Sequence, residues 1–489
     1  MSATGLTRQI ATWVEATTFD DLPRRVVEEA KNQTLSVVAA MHAGHFSELG
    51  RAVRRTVKDW NPGKDATIVP SGERMPLQAA LLVNGMLSAA LEYDDYLFSA
   101  QPGHSAVVAG LALAESEGLS GKDLVVCQVL ANELIARIGV LLAPHGLPAP
   151  ALPVVHRIGG AVVASKALKL DVDCIVAALG LTLACPGDAL TAGQLGGDGR
   201  AFATAEATQF GVQAAQLAAH GVRSGEDALG EPQGLLCDAS NMPVAEVFAT
   251  LGSTWLTETL SYKVYPVHAG SAAIIDCVLD IVRQHAIDPK KVAAVRIVAA
   301  PLAVEAFERA QPFIDGVNTA VSALAYAIPY NVAVAILDRE LTARQLTRER
   351  ISEPSVWALA ARVHVSRDEN FAERARNAWL ARPHGSAGRM TIDLDPLHVT
   401  QFRMSAGARV RIELEDGRSF EAEEEVSIGA AGRAYDDRRK AVEDKFRRET
   451  RYSLRKEKME KAIDLILHME RASAANVREI VRLCCSERD

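Results

Sequence analysis

In the first half of the chain, apolar residues fill whole segments instead of recurring every third or fourth place. Residues 77–91 read LQAALLVNGMLSAAL, and residues 160–170, 175–183 and 203–219 have the same texture. A helix that is apolar on nearly every face belongs inside an assembly of helices. Its many alanines let neighbours approach closely. The pattern is helical from residue 6 to about 261. It changes after about residue 262. VAAVRIV at 292–298 has strand character, as do 362–366, 390–394, 409–414 and 419–422. The last two flank Glu415, Asp416, Gly417 and Arg418, and Asp-Gly between alternating segments predicts a hairpin. From about Tyr435 the chain is helical again. The run DDRRKAVEDKFRRETRYSLRKEKMEK carries both charge signs at short spacing and reads as a solvated helix face.

The predicted class is mainly α with an α+β part. A large all-α domain is formed by both chain ends (1–264 and 431–489), with an α+β lid domain (265–430) inserted between them. A cleft between two such units is a favoured ligand site.

Composition narrows the function. A net charge of -8 argues against a nucleic-acid partner, which would require a basic face. The N-terminus lacks the pattern of a signal peptide, and the apolar runs are broken by Gly, Pro or charge, so no membrane span is expected. The seven cysteines show no CxxC and no metal-ligand spacing, which points to reduced thiols in a cytoplasmic protein.

Four segments could carry chemistry. Glu92, Asp94 and Asp95 crowd three carboxylates behind an apolar helix, where mutual repulsion creates a need for a cation. A loop over 97–103 can return His104 to them as a general base. Gly196, Gly197 and Gly199 precede Arg200 and a helix, an arrangement suited to an anion. Lys263 and His268 flank Pro266, with a helix expected just after the proline. A point cation there suits a carboxylate. Tyr330 offers a phenol, and His156 is a further candidate.

Taken in order, these segments resemble the MmgE/PrpD family. The resemblance runs from VVEEAKNQTLSVVAAMHAG and GKDATIVPSGERMPLQAALLVNG through NELIARIG, YKVYPVHAG and AIPYNVAVAIL to DKF at 444–446. It implies a helical domain with an inserted lid, a homodimer, and chemistry without metal or other cofactor on small polycarboxylates. Asp94, Asp95, Lys263 and Tyr330 match family positions. Glu92 stands for an aspartate, Tyr96 for a threonine, Ala89 for a frequent histidine and Arg200 for a lysine. His268 lies where relatives carry Cys or His, and His156 is the candidate for a second histidine.

The implied roles are Glu92, Asp94, His104, Lys263, His268 and Tyr330 in catalysis. Asp95, Tyr96, His156 and Arg200 are implied in substrate binding. The expected activity is that of a lyase, foremost a hydro-lyase, on a small di- or tricarboxylate. An epimerase, a decarboxylase or a diverged carboxylate-binding protein are the alternatives.

Overall fold

The computed structural model describes residues 5–60, 63–98, 100–142, 148–184, 193, 195–230, 234–236, 244–378, 381–384 and 389–486. The apolar runs form long helices: α1 (Leu6–Ala16), α2 (Arg24–His45), α3 (Glu48–Lys58), α4 (Leu77–Ala89), α5 (Gly103–Glu117), α6 (Gly121–Leu142), α7 (Pro148–Ala167), α8 (Val172–Leu183) and α9 (Gly199–Ala219). Helices α4, α5 and α6 are buried along almost their whole length, as their all-round apolarity requires. By length and composition α6 could cross a membrane, but its apolar window is wholly packed inside the protein. Small residues set the spacing. A Cβ on Gly85 of α4 would lie 2.8 Å from Ala205 Cβ of α9.

The strand signals appear as a four-stranded sheet. Its strands are β3 (Val292–Ala299), β4 (Val363–Arg367), β5 (Ala408–Leu414) and β6 (Ser419–Glu424), in the order β6-β5-β3-β4. Strand β3 runs parallel to β4 and antiparallel to β5. The β5–β6 hairpin turns at Gly417, whose φ of +85° explains the Asp-Gly pair. Helix α10 (Ala272–Gln284) packs on this hairpin. The segment expected at 390–394 is a strand over Arg389–Ile392, in a separate two-stranded ladder.

Two apolar clusters result. One combines residues from Ile10 to Tyr262 with residues from Leu394 to Cys484, so the chain end returns to the first helices. The other is built from residues between Val264 and Leu414, with Ala40, Ala43, Ala90, Leu91 and Tyr93 added from the helical part.

Three local expectations change. Residues 97–103 are not all loop, because a helix starts at Gly103 and carries His104 in its first turn. The helix after Pro266 starts later, with a 3-10 turn at Ala269–Ser271 before α10. The charged run is not simply a solvated face. In helix α11 (Tyr435–Thr450), Arg438, Val442, Lys445, Phe446 and Glu449 are all buried. They share one stripe at helical spacing, and Arg448 beside it also turns inward to the Tyr93 hydroxyl and the Val264 carbonyl.

Candidate active site

The site forms where two very short strands meet. Strand β1 (Asp95–Tyr96) pairs antiparallel with β2 (Ser261–Tyr262). The ladder brings the acids that follow α4 against the lysine that follows β2, and the Lys263 N–H bonds the Asp94 carbonyl at 3.1 Å. Glu92 adopts a left-handed φ of +53°, a costly conformation for a residue with a side chain. It turns its carboxylate towards the same lysine.

Lys263 is the hub. Its ammonium is 1% exposed and donates to Glu92 Oε1 at 2.8 Å and to Asp94 Oδ1 at 2.9 Å. Arg200 closes the other side of Glu92 and bonds Gln101, which itself donates to Glu92 Oε1 at 2.9 Å. Arg200 sits in the first turn of α9, seated by close packing of that helix. A Cβ on Gly211 would meet the Arg157 carbonyl at 2.0 Å. The guanidinium that follows the glycine-rich segment is aimed at Glu92.

His104 Nε2 lies 3.0 Å from Asp94 Oδ2, and its Nδ1 is 2.9 Å from Ser88 Oγ. Asp95 points elsewhere. It accepts from the Gly103 N–H at 3.0 Å, at the positive end of α5, and from the Gln33 amide. A Cβ at Gly103 would come within 2.5 Å of Val37 Cγ2 and 2.6 Å of Asp95 Oδ1, so this contact needs glycine. Gln33 is steadied by Asn132 and Gln128 from α6, at 3.0 and 2.6 Å.

Burial and charge set the protonation states. Burial pushes Lys263 down to about 8 and Arg200 adds to this, while Asp94 pulls it back up. Burial alone would raise Asp94, but the charges of Lys263 and His104 outweigh it and hold the carboxyl below its usual range. Burial and then its neighbour Asp94 raise Asp95 to about 6. Two adjacent carboxyls thus differ in proton affinity, a pattern common at functional sites.

The remaining candidates divide. His268 lies under the influence of this cluster. Burial, then Lys263 and Arg200, lower it to about 3, so it is neutral near pH 7. It stacks on Tyr326 at 5.2 Å between ring centroids, and its enclosed Nδ1 has no partner among the described residues. His156 stands one layer behind His104, with ring centroids 5.7 Å apart and Nδ1 3.1 Å from Ser105 Oγ. Burial lowers it to about 3. Tyr96 is buried beside Ser261 and Ser427. Tyr330 is not brought to the cluster. Its hydroxyl donates to the Gln345 carbonyl and its ring tilts on Trp357.

Sequence reasoning missed the supporting groups: Gln33, Ser88, Gln101, Asn132 and Lys445. Polar residues inside otherwise apolar helices, such as Gln128 and Asn132 one turn apart, were the available signal. No group of three or more His, Cys, Asp or Glu suited to a metal ion occurs among the described residues.

The arrangement can hold carboxylates with two fixed cations and can move a proton through a histidine–carboxylate pair. Two cis-aconitate decarboxylase sequences from Aspergillus terreus are 24% and 25% identical to this chain. The matches cover 80% and 87% of it, and 83% and 86% of the relatives. A cis-aconitate decarboxylase-like protein from Aspergillus oryzae is 29% identical over 44% of this chain and 47% of its own. The MmgE/PrpD N-terminal domain matches residues 8–243 and the MmgE/PrpD C-terminal domain matches 265–470. With both domains matched in order, the chain belongs to the MmgE/PrpD family.

Proposed function

We propose that the protein is a lyase that acts on a small tricarboxylate by proton transfer next to a carboxylate, with loss of CO2 as the specific reaction. The observation that carries this reading is the buried Lys263, shared by Glu92 and Asp94 and flanked by Arg200 and the His104–Asp94 pair. Negative charge building on an acid substrate requires such preorganised cations. The guanidinium of Arg200 suits a carboxylate that would take the place of Glu92.

In the reaction, the bond between carbon and the departing carboxylate breaks. Its electron pair stays on the carbon skeleton, delocalised onto a neighbouring carboxylate that faces Lys263 and Arg200. CO2 leaves. His104, held between Asp94 and Ser88, delivers a proton to carbon and takes one back from water.

A hydro-lyase shares the cations and the proton carrier but also needs an acid for the leaving hydroxide. Tyr330 is engaged by the Gln345 carbonyl, and His268 is held neutral. Decarboxylation, the activity named for the Aspergillus relatives, therefore fits this site better than the dehydration expected from sequence. We propose as well that residues 265–430 act as a lid over this site, in a homodimer. A panel of saturated, unsaturated and hydroxylated di- and tricarboxylates, followed for CO2 release and for water loss, tests the reading. CO2 from an unsaturated tricarboxylate supports it; water loss from a hydroxy acid without CO2 returns the hydro-lyase.

A further inference from the structure

Lys445 differs from the other buried cations among the described residues. Glu29 pairs with Arg438 and Glu133 with Arg137, both in the interior. The Lys445 ammonium is 0% exposed and makes no ion pair among the described residues. It donates to Ser36 Oγ at 2.9 Å and to the Tyr93 carbonyl, and it lies 4.3 Å from the centre of the Tyr93 ring. Burying an ammonium without a counter-charge is costly, and an apolar side chain of similar length would fill the space more cheaply. Stability does not explain this lysine.

Its partner does. Tyr93 is the residue between Glu92 and Asp94. Its hydroxyl accepts from Arg448 at 2.8 Å and lies 3.0 Å from Glu449 Oε1. Lys445 grips the same residue by its carbonyl, next to the left-handed Glu92. We propose that Lys445 is a positioning residue for the carboxylate cluster, fixing the Tyr93 peptide so that Glu92 and Asp94 converge on Lys263, and serving as a further cation for Asp94 and Asp95. The proposal rests on the lyase reading above. Around Lys445, the charges of Asp94, Glu449 and Asp95 favour its ammonium and Arg448 opposes it. Burial outweighs them and lowers the group to about 7.

The test is Lys445→Met, with Lys445→Arg beside it, in the full-length protein on the acid that wild type turns over. Lys445→Met should lower kcat by about tenfold or more while KM changes by less than about threefold. The acidic limb of the kcat profile should move to higher pH, because carboxyls that lose a cation keep their protons longer. The thermal midpoint at pH 6 should not fall. Lys445→Arg keeps the charge and should return the limb to its wild-type position.

An unchanged kcat and limb would overturn the proposal. So would a midpoint lower by about 5 °C or more with the limb unmoved, since that describes a structural strut. If wild type turns over no polycarboxylate, the lyase reading fails, and proton linkage judges the lysine separately. A lysine lowered to about 7 on folding makes stability rise with pH from about 7 towards 10.5, because the unfolded chain then holds more protons. Lys445→Met should flatten that rise, and an identical pH–stability curve for both proteins would remove the buried charge from the argument.

Discussion

Lys263 holds two carboxylates that would otherwise repel each other in a buried space. Lys263→Ala should therefore lose at least about tenfold in kcat/KM, about 1.4 kcal/mol of transition-state stabilisation, while remaining folded by circular dichroism. Arg200→Ala should lose as much. Near-wild-type kinetics in both would take these residues out of the chemistry. The pH profile supplies a second check. Lys263 is charged below about 8 and neutral above it, so kcat/KM should fall as pH rises through that value. A profile flat to pH 10 would contradict this. At this scale the sequence revealed types and neighbours but not directions. The acids after α4 and the lysine before Tyr265 were legible because their surroundings are apolar. Spacing does not say where a ring points, and the Tyr330 hydroxyl donates to the Gln345 carbonyl. Lys445 was hidden among alternating charges, although Val442 and Phe446 mark the buried stripe that it shares.

Among the elements, α6 braces the 3-10 turn (Leu256–Thr259) that leads into β2 and Lys263. Its Glu133 accepts from the backbone N–H groups of Leu256 and Thr257 at 3.0 and 2.7 Å and pairs with Arg137. Arg137 also donates to the Thr254 carbonyl at 2.7 Å. Glu133→Ala would leave a buried guanidinium without its counter-charge and two backbone donors without their acceptor, at a cost of about 3–5 kcal/mol. Denaturant unfolding should show this loss, with Glu133→Gln milder because its amide still offers an oxygen. A loss under about 1 kcal/mol for the alanine variant would mean that the network does not brace the turn. The long helices and the β5–β6 hairpin were legible because each repeats its pattern over several turns or alternations. The β1–β2 ladder was not, since strands of two residues have no period to read. It is nevertheless the element that assembles the site.

For the whole molecule, one constraint organises the rest. An acidic protein of net charge -8 must concentrate its cations where an acidic substrate binds. It does so at a junction, with Glu92, Asp94, His104 and Arg200 coming from the helical part and Lys263 standing where the chain passes into the α+β part. The order helical, then α+β, then helical was readable from texture alone, because each part keeps its own periodicity over many residues. How the parts meet was not, because it depends on close contacts such as Gly85 on Ala205 and Gly103 on Asp95. The most direct test of the account is a proton NMR time course of cis-aconitate in heavy water, with wild type and Lys263→Ala side by side. Wild type should convert the tricarboxylate to an unsaturated dicarboxylate bearing deuterium at the newly protonated carbon, with CO2 released, and the variant should be slower by about tenfold or more. An unchanged spectrum with wild type, or equal rates for the two proteins, would contradict this.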